Sequence, residues 1–179
     1  LLDVRVADGE KDILIGTRNG FSIRFPESDV RPTGRATTGV RGIDLRDNDA
    51  VVGMEPLEKE GDILTVCERA YGKRTETAEY RVQSRGGLGI INLKVSEKTG
   101  KVVGFKQVRA EDGMMLITQE GMIIRLNVAD VRQIGRSTQG VKLMDLEAND
   151  KLVAVAKIVE KDNGEDGDGG EPLAGEPVN

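Results

Sequence analysis

Apolar and polar residues alternate in short runs along this chain. Ile13-Leu14-Ile15 leads into Arg18-Asn19-Gly20, after which Phe21, Ile23 and Phe25 alternate with Ser22 and Arg24. Strand side chains point to opposite faces in turn, so the spacing predicts a hairpin with Phe21, Ile23 and Phe25 inward and Arg24 outward. Asn-Gly between two such runs is a strong hairpin signal, because both residues tolerate positive φ. Met122, Ile124 and Leu126 repeat the inward face, with Arg125 outward. A middle version differs, placing Tyr71, Lys73 and Thr75 on the nominal core face. That predicts a looser or more polar edge there, or a shifted register.

These runs belong to a unit of about fifty residues written three times, the signature of a repeat architecture. Residues 17–40 match residues 118–141 at an offset of 101, and a middle copy lies at an offset of 50 from the first. After each hairpin comes a Gly-rich crossing with Gly34 and Gly39, Gly86 and Gly89, or Gly135 and Gly140. A third strand is expected at Gly42-Ile-Asp-Leu45, Ile90-Ile-Asn-Leu93 and Leu143-Met-Asp-Leu146. A fourth is expected at Asp49-Ala-Val-Val52, Gly100-Lys-Val-Val103 and Asp150-Lys-Leu-Val153. The fold class is therefore all-β, with four antiparallel strands in each copy, the content of one propeller-type blade. The expected layout is residues 1–10 as the closing strand of a preceding blade, blades at 11–58, 61–108 and 112–158, and a disordered acidic tail at 159–179.

Three cations recur in register across the copies: Arg24/Arg74/Arg125, Arg31/Arg81/Arg132 and Arg35/Arg85/Arg136. A core does not need them, whereas a polyanion laid across successive units does. The net charge of -5 argues against this only until its distribution is seen. Residues 159–179 hold seven acids and one base, while residues 18–41 and 69–91 each carry five bases and two acids. A clustered basic face matters more than the net value. Aromatics make up 3% of the chain, so a stacking platform for single strands is not expected. With no His and one Cys, zinc sites of the usual kind are excluded. Cys67 aligns with Thr17 and Thr118 and reads as a small strand residue. No apolar run approaches the ~18 residues a membrane helix needs.

Longer phrases carry a family resemblance. Val30-Arg-Pro-Thr-Gly-Arg-Ala-Thr-Thr-Gly-Val-Arg-Gly-Ile43, Tyr71-Gly-Lys-Arg-Thr75 and Ile134-Gly-Arg-Ser-Thr-Gln-Gly-Val141 resemble the C-terminal domain of DNA gyrase A. The resemblance covers nearly all of residues 1–158. It implies a six-bladed β-pinwheel of which this chain is the last three blades, binding double-stranded DNA non-specifically around its outer rim. It also implies the remaining blades, the N-terminal domains of gyrase A and the gyrase B protein as partners, in the bacterial cytoplasm at the nucleoid. ATP and Mg2+ would be bound elsewhere in that enzyme, with no cofactor and no catalytic residue in this fragment. The family's basic heptapeptide is resembled in degenerate form by Gln83, Ser84, Arg85, Gly86, Gly87, Leu88 and Gly89, with Ser84 and Leu88 in place of two basic residues.

The candidate DNA contacts are Arg24, Arg31, Arg35, Arg41, Lys73, Arg74, Arg81, Arg85, Arg125, Arg132, Arg136 and Lys142. Arginine suits them because its planar fork matches phosphate oxygens. The opposing reading is structural: recurrence also fits a salt bridge the fold requires, and Asp29/Arg31, Glu79/Arg81 and Asp130/Arg132 are possible pairs. Tyr71 and Tyr80 are the only tyrosines and read as structural. Rival functions are the equivalent domain of topoisomerase IV and a propeller scaffold for protein partners, the latter needing exposed apolar anchors.

Overall fold

The computed structural model describes residues 2–6 and 8–158. The expected acidic tail at 159–179 lies outside them. Among the described residues eleven strands run in order: β1 (Asp12–Thr17), β2 (Phe21–Pro26), β3 (Val51–Leu57), β4 (Asp62–Cys67), β5 (Tyr71–Glu76), β6 (Ile90–Ile91), β7 (Val102–Val108), β8 (Gly113–Thr118), β9 (Ile123–Asn127), β10 (Val141–Lys142) and β11 (Leu152–Ile158). They form three antiparallel sheets, ordered β3-β1-β2-β6, β10-β5-β4-β7 and β11-β8-β9. This is the all-β pinwheel expected, and one feature of it was not legible in the repeat. The outer strand of each four-stranded sheet is not made by its own copy.

β6 belongs to the second copy yet pairs with β2 of the first, Phe21 opposite Ile91 and Ser22 opposite Ile90. β10 of the third copy pairs with β5 of the second in the same way, Val141 opposite Gly72 and Lys142 opposite Tyr71. Each copy thus builds three strands, and the second and third each donate a short fourth to the copy before them. The expected third strands are corrected accordingly: the pairing residues lie at 90–91 and 141–142. Residues 42–45 form no strand, because among the described residues no preceding blade offers them an edge. β9 has no fourth strand beside it, because among the described residues no following copy donates one, and Met122 and Ile123 remain exposed. Residues 2–6 are not in a strand either, although Asp3 accepts a hydrogen bond from the Met54 amide (3.3 Å) and so lies alongside β3.

The hairpins form as the alternation predicts, but the turn differs in detail. Positive φ falls on Gly20, Ala70 and Gly121, and Asn19 is not among the positive-φ residues. The middle hairpin keeps the register of the first: Asp62 faces Glu76 as Asp12 faces Pro26. Its polar face is therefore buried rather than shifted, and Lys73 and Thr75 are fully enclosed.

Between the first two blades lies a cluster of Leu14, Leu57, Ile63, Tyr80 and Phe105. A larger one of Leu64, Val66, Ala70, Met114, Leu116 and Leu152 joins the second to the third. Burying an aliphatic or Phe side chain contributes about 1.5–3 kcal/mol, so the blades are held to one another by the same effect that builds each one. β3, β7 and β11 pack side by side at the edge of each sheet opposite the donated strands. The donated strands and their leading loops therefore form the outer rim.

A close backbone approach fixes where each donated strand starts. Gly140 has φ +79°, and a Cβ there would meet the Gly72 carbonyl oxygen at 2.5 Å. Gly39 occupies the same place in the first copy with φ +76° and has open space around it. Gly39→Ala should therefore cost only the left-handed strain, about 1–2 kcal/mol. Gly140→Ala should cost at least about 1 kcal/mol more in urea unfolding, because its obstacle is backbone. Equal losses would show that the joint yields freely to a methyl group.

Candidate nucleic-acid interface

The three recurring arginine registers meet three different fates. Arg24 and Arg74 stand on β2 and β5, where the following copy runs beside them through parallel bridges to Val82 and Gln133. Both side chains are largely covered. Arg24 Nε and Nη2 donate to Asp12 Oδ2 at 2.8 and 2.7 Å, while Nη1 donates to the carbonyls of Thr77 and Tyr80 at 3.1 Å each. Arg74 Nε donates to the Val131 carbonyl at 2.8 Å and Nη1 to Asp62 Oδ2 at 3.3 Å. Each guanidinium thus links an aspartate of its own blade to backbone oxygens of the next. Asp12 and Asp62 recur at an offset of 50 and carry these arginines, a signal present in the sequence but passed over. The third member, Arg125, stands on β9 and makes an interaction of its own. Gly113 stands there where the other blades have aspartate.

The register Arg35/Arg85/Arg136 also serves the joints, wherever a preceding blade exists to grip. Arg85 Nε donates to the Asp29 carbonyl at 3.0 Å, and its Nη1 donates to the Arg41 carbonyl. Arg136 Nη1 donates to the Ile91 carbonyl at 2.8 Å, the equivalent position one blade on. Arg35, in the first blade, is exposed, and its side chain has no hydrogen bond or ion pair among the described residues. The heptapeptide-like segment is part of the same strap. The Gln83 amide donates to the Arg24 carbonyl and the Gly86 amide to the Gly42 carbonyl, both at 2.8 Å. Gly89 (φ +68°) lies against the Ser22 carbonyl, while Ser84 and Leu88 are exposed. Its glycines therefore serve close approach to a neighbouring blade.

The register Arg31/Arg81/Arg132 stays open. Arg31, Arg81 and Arg132 are exposed, and none of their side chains makes a hydrogen bond or ion pair among the described residues. The possible pairs with Asp29, Glu79 and Asp130 do not form. Two further rim cations are exposed but partnered: Arg41 pairs with Asp44 at 3.2 Å, and Lys142 pairs with Asp145. Two cations that the sequence reading did not single out also lie here. Arg46 stacks over the Phe21 ring, 3.6 Å from its centroid, and donates to the Leu88 carbonyl at 2.6 Å. The Lys94 side chain is exposed without a partner among the described residues.

Lys73 is corrected outright as a contact residue, because it is fully buried and out of reach of any external phosphate. Its Nζ donates to the carbonyls of Gly135 (2.6 Å) and Arg136, tying β5 to the strap of the third blade. Burial pulls its ammonium down to about 7, opposed by Glu79 and assisted by the Arg136 charge. A neutral amine has two N–H groups, enough for both carbonyls. Cys67 is likewise enclosed, and burial pushes its thiol up to about 12. Tyr80 is buried with its hydroxyl donating to Asn92 Oδ1 at 2.6 Å, and burial raises its phenol above the ordinary range. Tyr71 lies half-buried with Lys98 Nζ 5.1 Å from its ring centre.

Two outcomes follow from this sorting. Arg74→Met should destabilise the fold by roughly 1.5–3 kcal/mol, the value of hydrogen bonds from a charged group, whereas Arg81→Ala should change it by no more than about 0.5 kcal/mol. Urea unfolding of the two variants separates them, and equal losses would contradict the assignment. For Lys73 the native pKa lies below its unfolded value near 10.5, so between about pH 7 and 10 the unfolded chain holds the extra proton. Stability of the parent chain relative to Lys73→Met should then rise with pH across that window, by at most about 1.4 kcal/mol per unit. A flat difference would mean that the two carbonyls keep the ammonium charged.

Over residues 11–58, 61–109 and 114–158 the sequence matches the family described as DNA gyrase C-terminal domain, beta-propeller. It is 46% identical over 165 residues to the DNA gyrase A protein of Staphylococcus epidermidis, covering 91% of this chain and 18% of that protein. Against the DNA gyrase A protein of Staphylococcus aureus it is 46% identical over 162 residues, 89% of this chain and again 18% of the relative. The chain thus spans about a fifth of the length of these relatives. The solved structure of a DNA gyrase A C-terminal domain superposes with a TM-score of 0.80 at 28% identity, over 86% of this chain and 52% of that one. The C-terminal domain of DNA topoisomerase IV superposes at 0.82 with 26% identity, over 87% and 49%. The repeat, the donated strands and the sequence match agree: this chain belongs to the DNA gyrase C-terminal domain family of β-propellers.

Proposed function

We propose that this chain binds duplex DNA along its outer rim without regard to sequence, bends it, and so supports negative supercoiling by a gyrase. The observation that carries the reading is the row Arg31, Arg81 and Arg132. One exposed arginine stands at the same place on each of three successive blades, its side chain unpartnered within the described residues. Phosphates are the ligand such a row suits, since a guanidinium fork meets two oxygens at once and the contacts need no base edges. Arg35, Arg41 and Lys142 extend the row on the same rim. Arg24, Arg74, Arg85 and Arg136 support it indirectly, by holding the blades in register so that the exposed cations stay aligned.

In this reading the chain contributes no catalytic step, and its two tyrosines are structural. Strand cleavage, ATP and Mg2+ belong to the rest of gyrase A and to gyrase B, with the other blades completing the wrap. The site of action is the bacterial cytoplasm, at the nucleoid. Bending DNA over 20–30 bp costs about 1–6 kcal/mol, so several blades must share the contacts that offset it. The gyrase reading is favoured over topoisomerase IV by the gyrase A relatives at 46% identity. The two folds superpose equally well.

Counterion release gives a quantitative test, because each neutralised phosphate adds about 0.9 to the slope of log affinity against log salt. Binding to a 40-bp duplex of arbitrary sequence, followed by fluorescence anisotropy between about 50 and 200 mM salt, should show a steep negative slope. Replacing Arg31, Arg81 and Arg132 together by Ala should flatten it by about 2.7, with unchanged thermal stability. A slope that the triple variant leaves intact would sink the assignment.

A further inference from the structure

The rim positions beside the donated strands carry a charge pattern that differs between blades, and it points to regulation of the DNA grip proposed above, on which this inference rests. In the first and third blades a cation and a carboxylate stand three residues apart and pair: Arg41 with Asp44, Lys142 with Asp145. The equivalent positions in the second blade are Ile91 and Lys94. There the cation occupies the carboxylate's place, and nothing among the described residues neutralises it. The equivalence is geometric as well as sequential. The Asp44 amide donates to the Gly87 carbonyl on the strap of the second blade, and the Lys94 amide donates to the Thr138 carbonyl on the strap of the third, both at 2.9 Å. Residue 44 therefore sits against the strap that carries Arg81 and Arg85, and residue 94 against the one that carries Arg132 and Arg136.

We infer that Lys94 is a further phosphate contact, and that Asp44 and Asp145 damp the grip of the blades that bear them. A carboxylate within ion-pair distance of Arg41 competes with any phosphate for the same guanidinium. On an exposed rim that pair is weak and exchanges readily, so it attenuates binding without abolishing it. Lys94 has no such competitor and becomes the firm point of the rim. Arg41 and Lys142, each beside a carboxylate, hold DNA loosely and release it first as salt rises. A uniformly basic rim would hold all of its length with equal strength, which suits storage of DNA better than repeated capture and release.

The test uses the whole chain, the 40-bp duplex and the same salt titration. Lys94→Ala should weaken binding several-fold and flatten the slope by about 0.9, the value for one phosphate. Asp44→Asn and Asp145→Asn should each tighten binding and steepen the slope by up to the same amount, as Arg41 and Lys142 become available. Melting temperatures of all three should match the parent, since these side chains are at the exposed rim. If the Arg31/Arg81/Arg132 variant flattens the slope but Lys94→Ala and the two Asn variants do not, the damping inference is overturned and the DNA-binding reading stands. If the parent chain binds no DNA at about 50 mM salt, where phosphate contacts are strongest, both are overturned together.

Discussion

The joint between successive blades is the constraint on which this structure depends. A three-stranded sheet leaves an outer strand with unpaired backbone groups, a liability in any β protein. Here each copy solves the problem of its predecessor by extending two residues along that edge: Ile90–Ile91 beside β2, Val141–Lys142 beside β5. The donor cannot begin elsewhere, because Gly89 and Gly140 lie directly on carbonyls of the accepting strand. Contacts then run mainly from each copy to its neighbour, as in other repeat proteins.

Charge completes what the short strands begin. Two residue pairs make few hydrogen bonds, so the joint draws on side chains that reach the neighbouring backbone. Arginine fits because its planar fork can hold a carboxylate with some of its N–H groups and reach carbonyls with the rest, as Arg24 does with Asp12, Thr77 and Tyr80. The second blade adds a buried polar layer in which Asn92 accepts from Tyr80 and exchanges hydrogen bonds with Thr65, while Lys73 reaches the strap beyond. Such groups tolerate enclosure because they are partnered. They give the middle blade contacts to both sides in place of the apolar face of the first.

The same residue type therefore does two jobs at different depths. Arginines on the strands and straps hold blades together, and those at the exposed start of each strap are left for an external anion. A rigid array of joints sets the spacing of the free cations, so an interface for a stiff polyanion needs the buried arginines as much as the exposed ones. The carboxylates at 44 and 145 add a second level, since they modulate cations that already face outward.

The period of about fifty residues, the alternation along each hairpin and the placement of Gly39, Gly89 and Gly140 made the all-β repeat legible from the sequence, because they are local patterns set by side-chain alternation and backbone stereochemistry. The phrases around Arg31, Arg81 and Arg132 likewise marked a basic unit with an oriented surface. What the sequence could not decide was which copy owns the fourth strand, or which arginine in each copy is free. Arg24 and Arg81 both recur in the repeat, yet one is locked and the other open. The difference lies in Thr77 and Tyr80 of the next blade, more than fifty residues away along the chain. Burial and partnership are properties of the assembled joint. A repeat shows that a position matters in every copy, and only the tertiary structure shows whether it faces a neighbour or the solvent.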